Sequence, residues 1–374
     1  AMDQENSKKV LIYDFGGGTF DACILQIEKA QEEEPKIEIV STYGDNHLGG
    51  NDLDHIILDM IYQQFMEQTE GAYDLFDLKC DDGISAKQKK VAQARMKQIA
   101  TLTKERLSSA QSVKVNIAPL IQEPVPVNIQ FDISQESFLA HKRIHGLGQE
   151  EKEFEEFLGK SPEDLINKTI HIVEECLESA KLTAADIDEI ILVGGSSSVP
   201  LIREKLFDKF HIQPYQGKIS PAFSISAGAA NYGKLIFGQD ASFQVMEKTI
   251  HSYGLEVAGR RYMEVIPVGV PFVDDEIVIE AKHKLETGMD DLTSMAIAVY
   301  EDTSGGLGTR NLFVYEEGMR RLGGTTLRGI PKARRGEEKV RVIFKLTKDN
   351  ILTVMAKCIS VDGVETTLIV DQLY

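Results

Sequence analysis

The chain of 374 residues has no tryptophan, four cysteines and 7% aromatic residues. It has no apolar run near the roughly 20 residues that a membrane-spanning helix needs. The cysteines (Cys23, Cys80, Cys176, Cys358) form no C-x-x-C pair and none is spaced with histidine as a metal-ligand set. That argues against structural zinc and fits a reducing compartment, where each reads as a small buried hydrophobe. Positive charge is also short: 41 Lys and Arg face 59 Asp and Glu, a net charge of −18. A nucleic-acid groove or an anionic membrane surface is therefore a poor partner for the chain as a whole. The polar start "AMDQENSKK" lacks the apolar core of a signal peptide. No G-x-x-x-x-G-K-[ST] occurs, so any phosphate site is not a Walker loop.

What the chain does have is "VLIYDFGGGTFDACIL", Val10 to Leu25. Two apolar, partly β-branched runs read as buried strands. Between them Gly16, Gly17 and Gly18 let another group approach the backbone, and successive N–H groups in such a turn make an anion-binding concavity. Thr19 adds a hydroxyl. Asp14 and Asp21 flank the gap, where a bare phosphate would repel them. A hydrated Mg²⁺ between carboxylates and phosphate reconciles the two. A plain glycine-rich hairpin turn is the alternative.

Up to about Gly238 strands and helices alternate. Leu53, Ile56, Ile57, Met60, Ile61 and Phe65 recur at helical spacing after the turn "GDNHLGGND", and a second helix is expected from about Lys87 to Ala110. "SPED" opens a third, with Ser161 as N-cap and Pro162 in the first turn; its apolar face is Leu165, Ile166, Ile170, Val173, Cys176 and Leu177. "DEIILVGGSSSVPLIREKL" is a buried strand breaking at Gly194-Gly195 into a new helix, an arrangement suited to phosphate or ribose. His47 reads as a turn-stabilising residue, and Lys87, Lys89 and Lys90 as a solvated helix face. "QDASFQVMEK" reads as a linker. From His251 on, short alternating segments such as "KVRVIFKL" and "NILTVMAK" indicate an all-β domain, a sandwich.

These pieces in this order resemble the seventy-kilodalton heat-shock chaperones, the DnaK-type family. "YDFGGGTFDACIL" resembles the family's second phosphate loop, "GDNHLGGNDLD" its next turn, and "ILVGGSSSVPLI" with "SPAFSISAGAANYG" its adenosine segment. "LGGTTLRGIPKARRGEEKVRVIFKLTKDNILTVMAK" resembles its substrate-domain signature. The resemblance covers the chain from Lys8 onward. It implies an α/β actin-like ATPase lobe followed by an all-β sandwich domain: residues 1–238 the C-terminal lobe of the nucleotide domain, 239–250 the linker, and 251–374 the peptide-binding sandwich. On this comparison the N-terminal lobe and helical lid are lacking, so ATP hydrolysis is expected of the full-length protein and not of this stretch alone.

By the same resemblance, ATP or ADP with Mg²⁺ is the cofactor. Asp14 and Asp21 serve the metal through water, Gly16, Gly17, Gly18 and Thr19 contact phosphates, and Thr19 helps orient the attacking water. Gly50 approaches phosphate or ribose. Lys104 and Ser108 contact adenosine, with Gly194, Gly195 and Ser196 beneath the nucleoside. Tyr262 and Met295 fall near the peptide pocket, though a sandwich core accounts for them nearly as well. Implied partners are unfolded polypeptide segments, a J-domain co-chaperone and a nucleotide-exchange factor, in the cytoplasm. Three positions depart from the pattern: Thr101 stands where the family has glutamate, Ser198 where it has arginine, and Ala222 where it has an acid. The linker departs too, with Phe243, Val245 and Met246 in place of an acidic leucine-rich stretch. The expected function is an ATP-driven chaperone gripping extended apolar segments. The alternative is a holdase or adaptor with a degenerate nucleotide site. A metabolic kinase of the actin-like superfamily would end in a second α/β lobe, not a β domain.

Overall fold

The computed structural model describes residues 7–28, 36–147, 155–215, 217, 219–237, 244–246, 248–273, 275–303, 312–316 and 318–371. The chain divides into two compact units, one of Lys8–Ile24 with Tyr43–Ala241, the other of Ala1–Ser7, Leu25–Thr42 and Ser242–Tyr374.

The first three strands are β1 (Ser7–Phe15), β2 (Phe20–Glu28) and β3 (Lys36–Asp45). They belong to a five-stranded sheet in the order β6-β1-β2-β3-β7, where β6 is Glu189–Val193 and β7 is Gln244–Met246. β1 and β6 run parallel, with Asp14 opposite Val193. That register sets the end of β1 beside the glycines that follow β6. Tyr13, Phe15 and Phe20 are fully buried and pack ring against ring, so the strands on either side of the glycine turn are anchored by aromatic bulk.

Helix α1 (Gly50–Gln68) buries Leu53, Ile56, Ile57, Leu58, Ile61, Tyr62 and Phe65, while Met60 is only half-buried. α2 (Ala86–Leu107) starts at Ser85, whose side chain accepts from the Gln88 N–H while Gln88 reaches back to the Ser85 N–H. A hairpin of β4 (Ser112–Ile121) and β5 (Val127–Ser134), absent from the sequence reading, leads into α3 (Gln135–Ala140). α4 (Pro162–Ser179) is capped by Ser161 as expected, and its buried face also includes Thr169 and Ile172, while Ile170 is only half-buried. Thr169 is tolerated there because its hydroxyl meets Tyr13 and donates to the Ile166 carbonyl. α5 (Pro200–Phe210) and α6 (Ser224–Ile236) follow β6.

Two expectations fail around the loop that precedes α2. Lys89 does not solvate a helix face: its ammonium is fully buried, 2.8 Å from Asp82 and donating to the carbonyls of Asp77 and Cys80. The acceptors that make burial affordable lie in the preceding loop, which periodicity cannot register. Cys80, in that loop, is exposed rather than a buried hydrophobe; Cys176 and Cys358 are buried and Cys23 half-buried. The turn at His47 is held by its backbone N–H donating to Asp45, 2.8 Å.

The second unit contains two antiparallel sheets. One has the order β13-β12-β8-β9, with β8 Ser252–Val257, β9 Arg261–Ile266, β12 Ser294–Asp302 and β13 Met319–Arg328. The other has the order β10-β14-β15-β16, with β10 Glu276–Glu280, β14 Lys339–Thr347, β15 Leu352–Cys358 and β16 Glu365–Val370; β11 (Leu285–Glu286) also pairs with β14. Inward residues of both, including Leu255, Ile297, Val299, Phe344 and Val354, share one core. Along β14 the pattern is strict: Val340, Val342, Phe344 and Leu346 are buried and the residues between them are not. No helix occurs among the described residues from 251 onward. Within the expected linker, Gln244–Met246 pairs in parallel with Lys36–Glu38 of β3; residues 239–243, Phe243 among them, and 247 lie outside the described residues. No described helix is long and apolar enough to cross a membrane.

Candidate functional site

The turn between β1 and β2 is closed by Gly16 N–H donating to the Thr19 carbonyl at 3.0 Å. Its outer carbonyls are used by the start of α1. Gly50 N–H donates to Gly16 O at 2.9 Å and Asn51 N–H to Gly17 O at 2.7 Å, which presses the start of α1 against the turn. Gly49 is what permits this: a Cβ there would run into Gly17 and Gly18 backbone atoms. Asp52, in the first turn of α1, accepts from Gly49 N–H at 2.8 Å and fixes the approach. Gly17, Gly18 and Thr19 remain exposed, and nothing lies within 4 Å of where a Gly18 Cβ would stand.

Asp14 and Asp21 stand at the two strand ends. Burial pushes the Asp14 carboxyl above its ordinary range, and the nearby charge of Asp21 pushes it further. Burial also raises Asp21, against a hydrogen bond with Thr19 that lowers it. Two carboxylates so placed, neither in an ion pair among the described residues, present a negative pair beside the exposed glycines. Among the described residues no three His, Cys, Asp or Glu side chains could hold a metal directly. Two carboxylates beside exposed glycine N–H groups are a donor set that would suit a hydrated Mg²⁺ carrying phosphate, with water between metal and carboxylate.

The remaining candidates gather at one side of this turn. Gly194 adopts φ +82°, and a Cβ there would strike the Phe15 carbonyl and stand 2.8 Å from Asp14 Oδ1. Its N–H donates to Pro221 O at 3.0 Å, and its carbonyl accepts from Ser197 at 2.7 Å. Any Cβ on Gly50 would collide with Ser196 Oγ and lie 2.9 Å from Lys104 Nζ. Lys104 donates to the Gly50 carbonyl at 2.7 Å and pairs with Asp54 at 2.7 Å. Ser108, one turn on, shares a pocket with Lys104. So Asp14, Gly16 to Thr19, Asp21, Gly50, Lys104, Gly194 and Ser196 lie in one connected region of the first unit, with Gly195 between two of them.

Three participants escaped sequence reasoning. Gly44 sits so close to Asp21 that a Cβ would meet its carboxylate and the Phe20 carbonyl. Gly49 and Asp54 complete the set; the crowding of glycines in "YGDNHLGGNDLD" was the available signal. At the departures, Thr101 donates to Asp54 at 2.8 Å and thus joins the Lys104 network, Ser198 is half-buried, and Ala222 is exposed.

The whole arrangement, from glycine turn to β unit, is matched by the family profile described as Hsp70 protein over residues 1–372. The chain belongs to the Hsp70 family. Hsp70 proteins are ATP-dependent chaperones that bind ATP or ADP, usually with Mg²⁺, and engage unfolded substrates and co-chaperones. The mixed α/β sheets and helices of this chain fit an actin-like ATPase fold.

Tyr262 and Met295 belong to the other unit, on β9 and β12 with β8 between them. Met295 packs against the shared core. The Tyr262 ring crosses Gly254, where a Cβ would stand 2.6 Å from it, and its hydroxyl lies 3.1 Å from Ser252 Oγ. Burial pushes that phenol well above its usual range.

Proposed function

We propose that this chain is the nucleotide-and-peptide portion of an Hsp70 chaperone, residues 1–238 belonging to the nucleotide domain, 239–250 to the linker and 251–374 to a β-sandwich that grips extended apolar segments. The observation that carries it is the cradle itself: exposed Gly17, Gly18 and Thr19, held open by Gly49 and Gly50 and flanked by Asp14 and Asp21. In this reading the Gly16 to Thr19 backbone and the Thr19 hydroxyl receive phosphate oxygens, and the two aspartates orient the waters of the metal. Mg²⁺ supplies charge neutralisation at the phosphates. Lys104 and Ser108 border the nucleoside, and Gly194, Gly195 and Ser196 support it.

For the β unit, the support is a compact scaffold of two sheets over one core, on which an extended strand is held through backbone hydrogen bonds and side-chain pockets. Tyr262 and Met295 are proposed to border that groove. Clients would be unfolded segments, with a J-domain protein and an exchange factor as regulators. Fluorescence anisotropy with apolar-centred peptides tests the peptide half: saturable binding clearly tighter than to a charged control supports it, and equal binding to the control removes it.

A further inference from the structure

A cavity of about 800 Å³ lies between β6, α5 and α6, and none of the candidate nucleotide residues lines it. Two backbone bonds shape it. Tyr215 N–H donates to the Ile190 carbonyl at 2.7 Å, on the outermost strand of the sheet, and Gly194 N–H to the Pro221 carbonyl at 3.0 Å. Ile191, Ile219, Pro221 and Ala227 supply apolar wall, and Ser220 and Asn231 add neutral polar groups. Among the described residues that line it, Arg203 alone is charged. Its Nη1 is buried without a hydrogen-bond partner, and no carboxylate among the described residues pairs with it. The other cations of α5 are matched: Lys205 pairs with Glu163 at 2.7 Å, and Lys209 with Glu174. Those two lie one turn apart on one side of the helix, and Arg203, two residues before Lys205, leaves from roughly the opposite side.

A guanidinium is always charged and carries five N–H donors in a planar fork. Such donors are seldom left buried and unpaired, so Arg203 calls for an acceptor that no described residue brings. The fork matches the two oxygens of a carboxylate, which it binds through two parallel hydrogen bonds. One cation balances one negative charge. A phosphate dianion would bring a second, with nothing opposite it, to a largely apolar wall in a chain of net charge −18. We propose that this cavity is a binding site for a small carboxylate with an apolar body, the carboxylate seated on Arg203 and the body against Ile191, Ile219 and Ala227. Its volume falls within the roughly 300–1,000 Å³ of ordinary small-molecule sites. The assignment does not depend on nucleotide binding.

The test is calorimetric titration of the 374-residue chain with octanoate, octan-1-ol and octyl phosphate, repeated on Arg203→Gln and Arg203→Lys. The expected result is one saturable site that takes octanoate at least about tenfold more tightly than the alcohol, the scale of a charge-assisted hydrogen-bonded pair. Arg203→Gln should remove that margin. Arg203→Lys, which keeps the charge and loses the fork, should keep part of it. Octyl phosphate should bind no better than octanoate. Octanoate no tighter than octan-1-ol in the unmodified chain, or a margin that survives Arg203→Gln, overturns the assignment; the second outcome would place the ligand elsewhere on the chain. Octyl phosphate binding more tightly than octanoate overturns the choice of a carboxylate head.

Discussion

Asp14 Oδ1 lies where only glycine can stand opposite it: a Cβ on Gly194 would come within 2.8 Å of that oxygen and would strike the Phe15 carbonyl. The closeness follows from the parallel register that sets Asp14 against Val193, one residue before Gly194, and from the left-handed φ of +82° that Gly194 adopts. Gly194→Ala therefore meets both a steric and a conformational penalty. The expected cost is about 2–3 kcal/mol, read from urea unfolding of the chain. A cost below about 0.5 kcal/mol, the range of ordinary surface changes, would mean the contact is not as close as described.

The aspartate pair predicts a trade between stability and binding. A carboxyl whose folded pKa is raised contributes stability that is complete below its unfolded pKa and is lost as pH rises through the folded one. At neutral pH the ionised Asp14, raised by burial and by Asp21, is thus a net cost to the ligand-free fold. Asp14→Asn should raise the thermal midpoint of the free chain at pH 7 and leave it little changed at acid pH. A midpoint that falls at pH 7 contradicts the assignment.

Glu301 behaves in the opposite sense. It is fully buried on β12; burial alone would raise its pKa, but the His251 hydrogen bond and the Arg320 guanidinium bring it below the usual range. Its stabilising contribution is present above the ordinary glutamate pKa and is lost as pH falls through the lowered folded value. Arg320→Ala, which leaves the buried charge with less compensation, should cost about 3 kcal/mol at pH 7 and progressively less as acid protonates Glu301. Denaturant midpoints measured from pH 7 down to the acid limit of folding give the comparison. A cost that stays constant across that range would show that Glu301 is not the partner that matters.

Short-range patterns carried much of this architecture in the sequence. The alternation along β14, the Ser161 cap of α4 and the glycine turn between two apolar runs are each decided by residues within a few positions of one another. What stayed hidden depends on residues far apart in the chain. Asp59 is fully buried on α1, yet His141 and His145 supply its hydrogen bonds, at 2.7 and 2.8 Å, from 82 and 86 residues away. Asp54 with Lys104, on the next helix, is a further case of a carboxylate whose partner is distant in the chain. Gly44 was missed for the same reason, because its need to be glycine comes from Asp21 on another strand. The cradle was legible since its glycines and carboxylates are local; its supports were not.

The central claim is that Gly16 to Thr19, Asp14 and Asp21 form a magnesium-dependent phosphate cradle. Calorimetric titration of the chain with pyrophosphate, with Mg²⁺ and then with EDTA, measures it most directly, since no base contact intervenes. The predicted result is binding that strengthens by about tenfold or more with Mg²⁺ in the unmodified chain and loses that gain in Asp14→Asn. Binding that is indifferent to Mg²⁺, or a Mg²⁺ gain that survives Asp14→Asn combined with Asp21→Asn, would contradict it.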